Sequence, residues 1–271
     1  MRAGDTLSGP ELNSADPNAP EALLQRRDAE KLTWRGPAVM LFARAFFAVV
    51  AQAVVAGVFA LQSSPTPWRD AAPWLPVYGT LIDVGCLVLL LRLTRREGIR
   101  LLDLVGFERS RLVRDALLGL VLVPVSLVFI FAGVYAAGWL VYGTLRPPYL
   151  YEALPLPAAL YGVLVWPFIW GFTEQMTYNG YLLPRFRVLG RSTSLAIVLV
   201  AFAWAAQHSF MPLTFDSKYM TFRLLSSVPN TVFQTLLYLR LRRLVPLAVG
   251  HSLMDGASVF MGVLLPLLRA G

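Results

Sequence analysis

Apolar runs at about 37–61, 75–94, 116–144, 157–183, 193–210, 222–240 and 244–268 each approach the ~20 residues that a helix needs to cross a bilayer. Nothing else in the chain constrains its fold so tightly. In hydrocarbon a backbone N–H or C=O finds no water, so a spanning segment must be a helix or a strand of a closed barrel. Runs of this length, joined in places by very short connections, do not suit barrel strands of about 9–11 residues. The expected fold is all-α: a polytopic transmembrane helical bundle of about seven spans over residues 37–271. With 56% hydrophobic and 15% charged residues, an ordinary soluble domain is excluded.

The net charge is +8, but the basic residues cluster between apolar runs instead of covering one face, which argues against nucleic acid as a partner. They alternate along the chain. Arg26, Arg27, Lys31 and Arg35 precede the first run; seven arginines fall between Arg92 and Arg114; Arg185, Arg187 and Arg191, then Arg240, Arg242 and Arg243, follow. The intervening connections hold little beyond Arg69, Arg146 and Lys218. By the positive-inside rule this places the N-terminus in the cytoplasm and, with seven spans, the C-terminus outside, in a multi-pass protein expected in the cell membrane. Residues 1–36, with Pro10, Pro17 and Pro20 and mixed charge, read as a largely disordered cytoplasmic tail with room for a short helix near Glu21–Leu32. No signal-peptide cleavage pattern is visible, so the first span is expected to act as the anchor. The Arg95–Asp115 connection mixes apolar residues with arginines and suits a short surface helix or a plain loop. The single cysteine, Cys86, lies inside a run as a small hydrophobe.

Ionisable side chains in hydrocarbon are costly and mark functional sites or buried partners. Three segments stand out: Phe172-Thr-Glu-Gln-Met-Thr-Tyr-Asn-Gly180, Trp204-Ala-Ala-Gln-His208 and His251-Ser-Leu-Met-Asp255. They hold both histidines of the chain. His251 and Asp255, four apart, share a helix face, as do Trp204 and His208. A poorly solvated carboxylate can take a proton from water attacking a carbonyl, which makes Glu174 the candidate base. The histidines would position that water or stabilise the oxyanion, with Asp255 or its neighbours adding a donor. The competing reading is interhelical hydrogen bonding alone, which contributes about 0.6–2 kcal/mol per contact in membranes. Arg44 and Asp83 read as packing or a mutual ion pair, and Gln52, Asn230 and Gln234 as interhelical contacts.

At these segments the chain resembles the CAAX protease and bacteriocin-processing (CPBP) family, which includes the type II CAAX prenyl endopeptidases. The family pattern E-E-x-x-x-R, F-x-x-x-H and H-x-x-x-N/D is met in order by Glu174-Gln175-Met-Thr-Tyr-Asn179, Trp204-Ala-Ala-Gln-His208 and His251-Ser-Leu-Met-Asp255, and covers about 157–265. The resemblance implies an intramembrane endopeptidase acting on peptides or lipidated peptides. Glu174 would activate water, His208 would assist, and His251 with Asp255 would form the oxyanion site. Gln175, Asn179 and Trp204 depart from the family residues. Gln175 and Asn179 stand where a glutamate and an arginine would pair at i, i+4. Neutralising both leaves two amides able to bond each other, a swapped brace that need not abolish hydrolysis. A catalytically silent scaffold or immunity protein of the same fold is the alternative.

No cofactor is expected. A zinc peptidase using His208 and His251 is the alternative, although no H-E-x-x-H helix is present. A proton-coupled carrier would use the same groups as a relay. Straight helices place His251 about 10 Å and His208 about 20–25 Å from the inner face, so a bend near Pro184 or Gly190, or a late start of the fifth span, is needed to bring them together.

Overall fold

A computed structural model describes residues 16–145 and 152–270, and among them there is no strand. The helices are α1 (Pro20–Asp28), α2 (Arg35–Leu61), α3 (Pro67–Ala71), α4 (Leu75–Arg96), α5 (Leu112–Tyr142), α6 (Leu156–Leu164), α7 (Trp166–Gln175), α8 (Leu183–Leu189), α9 (Thr193–Gln207), α10 (Ser217–Leu241), α11 (Val245–Val259) and α12 (Leu265–Ala270). A π-helical turn, Met176–Leu182, joins α7 to α8, and another, Phe260–Leu264, joins α11 to α12.

All seven apolar runs are helical. Six stretches are long and apolar enough to cross a membrane: Arg35–Leu61, Pro67–Arg96, Leu101–Tyr142, Leu156–Leu189, Thr193–Phe210 and Val245–Arg269. The remaining run, α10, has the length but is more polar, because Ser226, Thr231, Gln234 and Thr235 are turned into the protein. Besides a buried apolar core, the bundle turns many large apolar side chains outward. Along α2, Phe42, Phe46, Val50, Val54 and Val58 are exposed at helical spacing, whereas Arg44 and Gln52 are fully buried. This is the pattern of a helix facing lipid on one side and polar partners on the other.

α5 packs on α10 and α11, α11 on α7, α10 on α9, and α2 on α4. Small residues set these approaches. A Cβ at Gly119 of α5 would stand 2.8 Å from the Pro246 carbonyl oxygen and from Val249 Cβ of α11.

Ion pairs draw the basic segments together at one end. Arg185 donates to both Glu97 oxygens at 2.7–3.1 Å, Arg26 lies 3.9 Å from the same carboxylate, and Arg243 pairs with Asp115. That grouping is what alternating basic connections require. At the other end Gln52 bonds the backbone N–H and C=O of Leu213, and Trp68 donates to the same carbonyl.

Residues 1–15 of the expected tail lie outside the described residues. From Asp16 onward the segment is folded against the bundle. Leu23 and Leu32 are buried, and Asn18 donates to the Gly180 carbonyl at 2.9 Å while accepting from Arg185 at 3.1 Å. The short helix is therefore present as α1, docked on α8. In the Arg95–Asp115 connection, two 3₁₀ turns replace a surface helix; Leu104 is buried and Leu102 exposed.

Candidate active site

Glu174 lies in the last turn of α7, and its carboxylate is fully buried. α7 reaches α11 because Gly171 has no side chain: a Cβ there would stand 2.6 Å from Ser252 Oγ and 2.9 Å from Ser252 N. Four donors surround the carboxylate. Oε1 accepts from Gln207 Nε2 at 2.7 Å and lies 3.3 Å from Arg44 Nη2; Oε2 accepts from Trp204 Nε1 at 2.8 Å and lies 3.5 Å from His251 Nε2. That number matches the lone-pair sites of an ionised carboxylate. His251 Nε2 is also 3.4 Å from Asp255 Oδ2, one turn along α11. Asp255 Oδ2 is buried with no hydrogen-bond partner, although the side chain as a whole is 24% exposed. The structure thus brings Glu174, Trp204, His251 and Asp255 together, and Asp255 is where the group approaches the surface.

Gln175 and Asn179 bond each other, Asn179 Nδ2 donating to Gln175 Oε1 at 2.7 Å. With its oxygen engaged, Gln175 presents its amide nitrogen to His251 Nδ1 at 3.3 Å and to Gln234 Oε1 at 3.4 Å; Gln234 in turn donates to Ser126 Oγ. An amide nitrogen can only donate, so Nδ1 of His251 accepts and the neutral ring carries its hydrogen on Nε2. That N–H faces the two carboxylates.

His208 is placed differently. It lies in a 3₁₀ turn just past α9, and its Nδ1 is 2.9 Å from the Trp204 carbonyl oxygen. A carbonyl only accepts, so Nδ1 carries hydrogen and Nε2 has the lone pair. His208 is within electrostatic reach of Glu174 and His251, but its hydrogen bond runs to Trp204. The depth mismatch expected of straight helices is met by Trp204, one turn before His208. Its indole bonds Glu174, stacks on Tyr178 at 5.0 Å and lies 5.9 Å from the His251 ring. α9 starts at Thr193, where the fifth apolar run begins, so no late start is involved. Phenylalanine at position 204 could wall the site but not donate to Glu174.

Sequence reasoning missed part of the surroundings. Arg44 pairs with Asp83 at 2.9 Å as expected, but it also faces Glu174, donates to Gln207 Oε1 at 2.9 Å and lies 4.4 Å over the Trp170 ring. Gln207 was visible beside His208, yet its role as a clamp between Arg44, Tyr178 and Glu174 was not. The unusual signal was an arginine in the first span.

The zinc alternative can be tested against the donor set. His208 offers the Nε2 lone pair, whereas both nitrogens of His251 are engaged by Gln175 and the carboxylates, and a guanidinium stands against Glu174. Among the described residues no group of three or more His, Cys, Asp or Glu side chains is arranged to hold a metal ion. The residues fit that ion poorly.

Fold and cluster together define a multi-pass helical membrane protein with a buried ionisable site drawn from three motif-bearing segments. Residues 156–257 match the family model for type II CAAX prenyl endopeptidases, Rce1-like. The family resemblance read over about 157–265 is thereby borne out, and the matched stretch, from α6 into α11, contains all three motifs and resembles CAAX-type intramembrane proteases. No curated protein and no solved structure matches the chain. Arg44 and Asp83 lie outside the matched stretch.

Proposed function

We propose that this protein is an intramembrane endopeptidase that hydrolyses a peptide bond with water activated at Glu174, without a metal. One observation carries the reading: side chains from the second and third motifs converge on the buried carboxylate of the first. In the proposed reaction Glu174, assisted by the lone pair of His208 Nε2, takes a proton from water. The oxygen attacks the scissile carbonyl carbon, and the tetrahedral oxyanion accepts from the Nε2–H of His251. Glu174 then passes its proton to the departing amine nitrogen as the C–N bond breaks. Arg44, Gln207 and Trp204 hold the carboxylate in place. Membrane-associated peptides, including lipidated C-terminal ones, are the proposed substrate class. The proposed setting is the cell membrane with the N-terminus cytoplasmic.

A second reading rests on the same carboxylate. Four protein donors already meet Glu174, which also suits a structural counter-ion to Arg44 in a catalytically silent scaffold or immunity protein.

The deciding assay incubates purified wild type and Glu174→Gln in detergent with a peptide library, with and without a strong chelator. Product from wild type, unaffected by chelation and at least about 100-fold lower with Glu174→Gln, is expected. Equal cleavage by both forms would remove Glu174 as base, chelator-sensitive cleavage would point to a metal, and no cleavage by either would favour the silent scaffold.

A further inference from the structure

Between α1 and α8, at the end of the molecule where the ion pairs gather, lies a cavity of about 470 Å³. Arg27, Arg187 and Arg191 reach it, and Leu23, Pro184 and Val188 form its apolar wall. Among the described residues no carboxylate lines it. The nearby ones are Asp28, held by Arg27 at 2.8 and 3.0 Å, and Asp16, which lines an adjoining pocket with Arg187 and Arg242. Arg187 gives its Nε to Thr193 Oγ1 at 3.2 Å, which fixes the side chain, and among the described residues no acceptor is bonded to its terminal amino groups. Arg191 is exposed and sits at φ 50, in the left-handed region that a non-glycine residue seldom adopts.

The level of the cavity in the membrane can be read from its neighbour. Trp34, at the start of α2, is 47% exposed and rests on Phe186 of α8, with ring centroids 5.8 Å apart. An exposed indole at the end of a spanning helix is the usual marker of the headgroup layer. A cavity at this level, with guanidinium groups on one side and aliphatic side chains on the other, has the chemistry of a phosphate group attached to an apolar stem. Guanidinium forks match phosphate oxygens in paired hydrogen bonds, and basic pockets between helices at this depth recognise anionic headgroups.

We infer that the α1–α8 cavity is a binding site for a phosphate-bearing anion, either the headgroup of an anionic phospholipid or free phosphate. Occupancy ties α1 to α8, and hence to the helical stretch that carries Glu174. The site is independent of whether the protein cuts peptides.

The test uses the purified full chain in a neutral detergent, with binding read by native mass spectrometry and by the shift in unfolding temperature. The probes are phosphatidylglycerol, phosphatidylcholine and inorganic phosphate. Wild type should bind phosphatidylglycerol at least about tenfold more tightly than phosphatidylcholine. Arg187→Gln/Arg191→Gln should lose about tenfold or more, whereas Arg95→Gln/Arg96→Gln, which removes the same charge from the exposed end of α4, should lose little. Arg191→Gln alone, on an exposed residue, should give a partial loss and keeps the test readable if the double variant unfolds. Competition by inorganic phosphate would assign recognition to the phosphate itself; binding of the lipid without such competition would assign it to the whole headgroup. Equal losses in the two double variants, or equal affinity for the two lipids, would overturn the inference.

Discussion

At position 175 one amide decides which nitrogen of a histidine carries its hydrogen. Gln175 presents N–H to His251 Nδ1 because its own oxygen is held by Asn179. A carboxylate there could only accept, and would draw the hydrogen from Nε2 to Nδ1, away from Glu174 and Asp255. The single substitution Gln175→Glu would also bury an uncompensated charge, at a cost of about 3–5 kcal/mol. Adding Asn179→Arg should restore more than half of that loss, since the charges are then paired along one helix face. A double-mutant cycle from unfolding in detergent measures the coupling; purely additive losses would mean that the two side chains do not act as a brace. The Gln175–Asn179 contact was legible, because i, i+4 spacing is a local property of a helix. The Trp204–Glu174 and Arg44–Glu174 contacts were not, because they join residues far apart in the chain and depend on how the spans dock.

Among the elements, the same limit separates what the α1 segment looks like from what it does. Its sequence is polar, with Pro17 ahead of the helix and Pro20 at its first position, and Leu23, Leu24 and Leu32 are its only large apolar side chains. Local pattern therefore gives a short helix in a tail, whereas the docking comes from α8 and from Asn18 bridging Arg185 and the Gly180 carbonyl. The π-helical turn Met176–Leu182 was likewise invisible, since an α-helical period runs through it unchanged. Leu23 is 1% exposed. Replacing it with aspartate gives up about 1.5–3 kcal/mol of apolar burial and adds a charge to desolvate. In Leu23→Asp, trypsin should cut at Arg26, Arg27 and Lys31 at least about tenfold faster than in wild type, with the unfolding temperature of the spans little changed. Unchanged cleavage, read by loss of an N-terminal tag, would mean that α1 is not held by this contact.

For the whole molecule, the span count and the direction of α10 are one problem. Among the described residues six helical stretches meet the demands of length and apolarity, and α10 meets only the first. Its 25 residues are about 37 Å long, enough to cross the hydrocarbon core. Its polar side chains are spent inside the bundle, where Thr231 bonds the Ala201 carbonyl and Gln234 bonds Ser126 and Gln175. A membrane-spanning helix can carry such residues when they face protein instead of lipid. Apolar run length made this helix legible as a span, but only packing tells why its apolarity is low. If α10 crosses, Lys218 and Arg240, both exposed and near its two ends, stand on opposite sides of the membrane. The native thiol, Cys86, is fully buried and can be removed as Cys86→Ser. In that background Lys218→Cys should react with a membrane-impermeant maleimide on intact cells, and Arg240→Cys only after permeabilisation, because the basic end faces the cytoplasm. Labelling of both from one side would reduce the bundle to six spans, and the reverse pattern would invert it, putting the arginine-rich end and the α1–α8 cavity outside the cell.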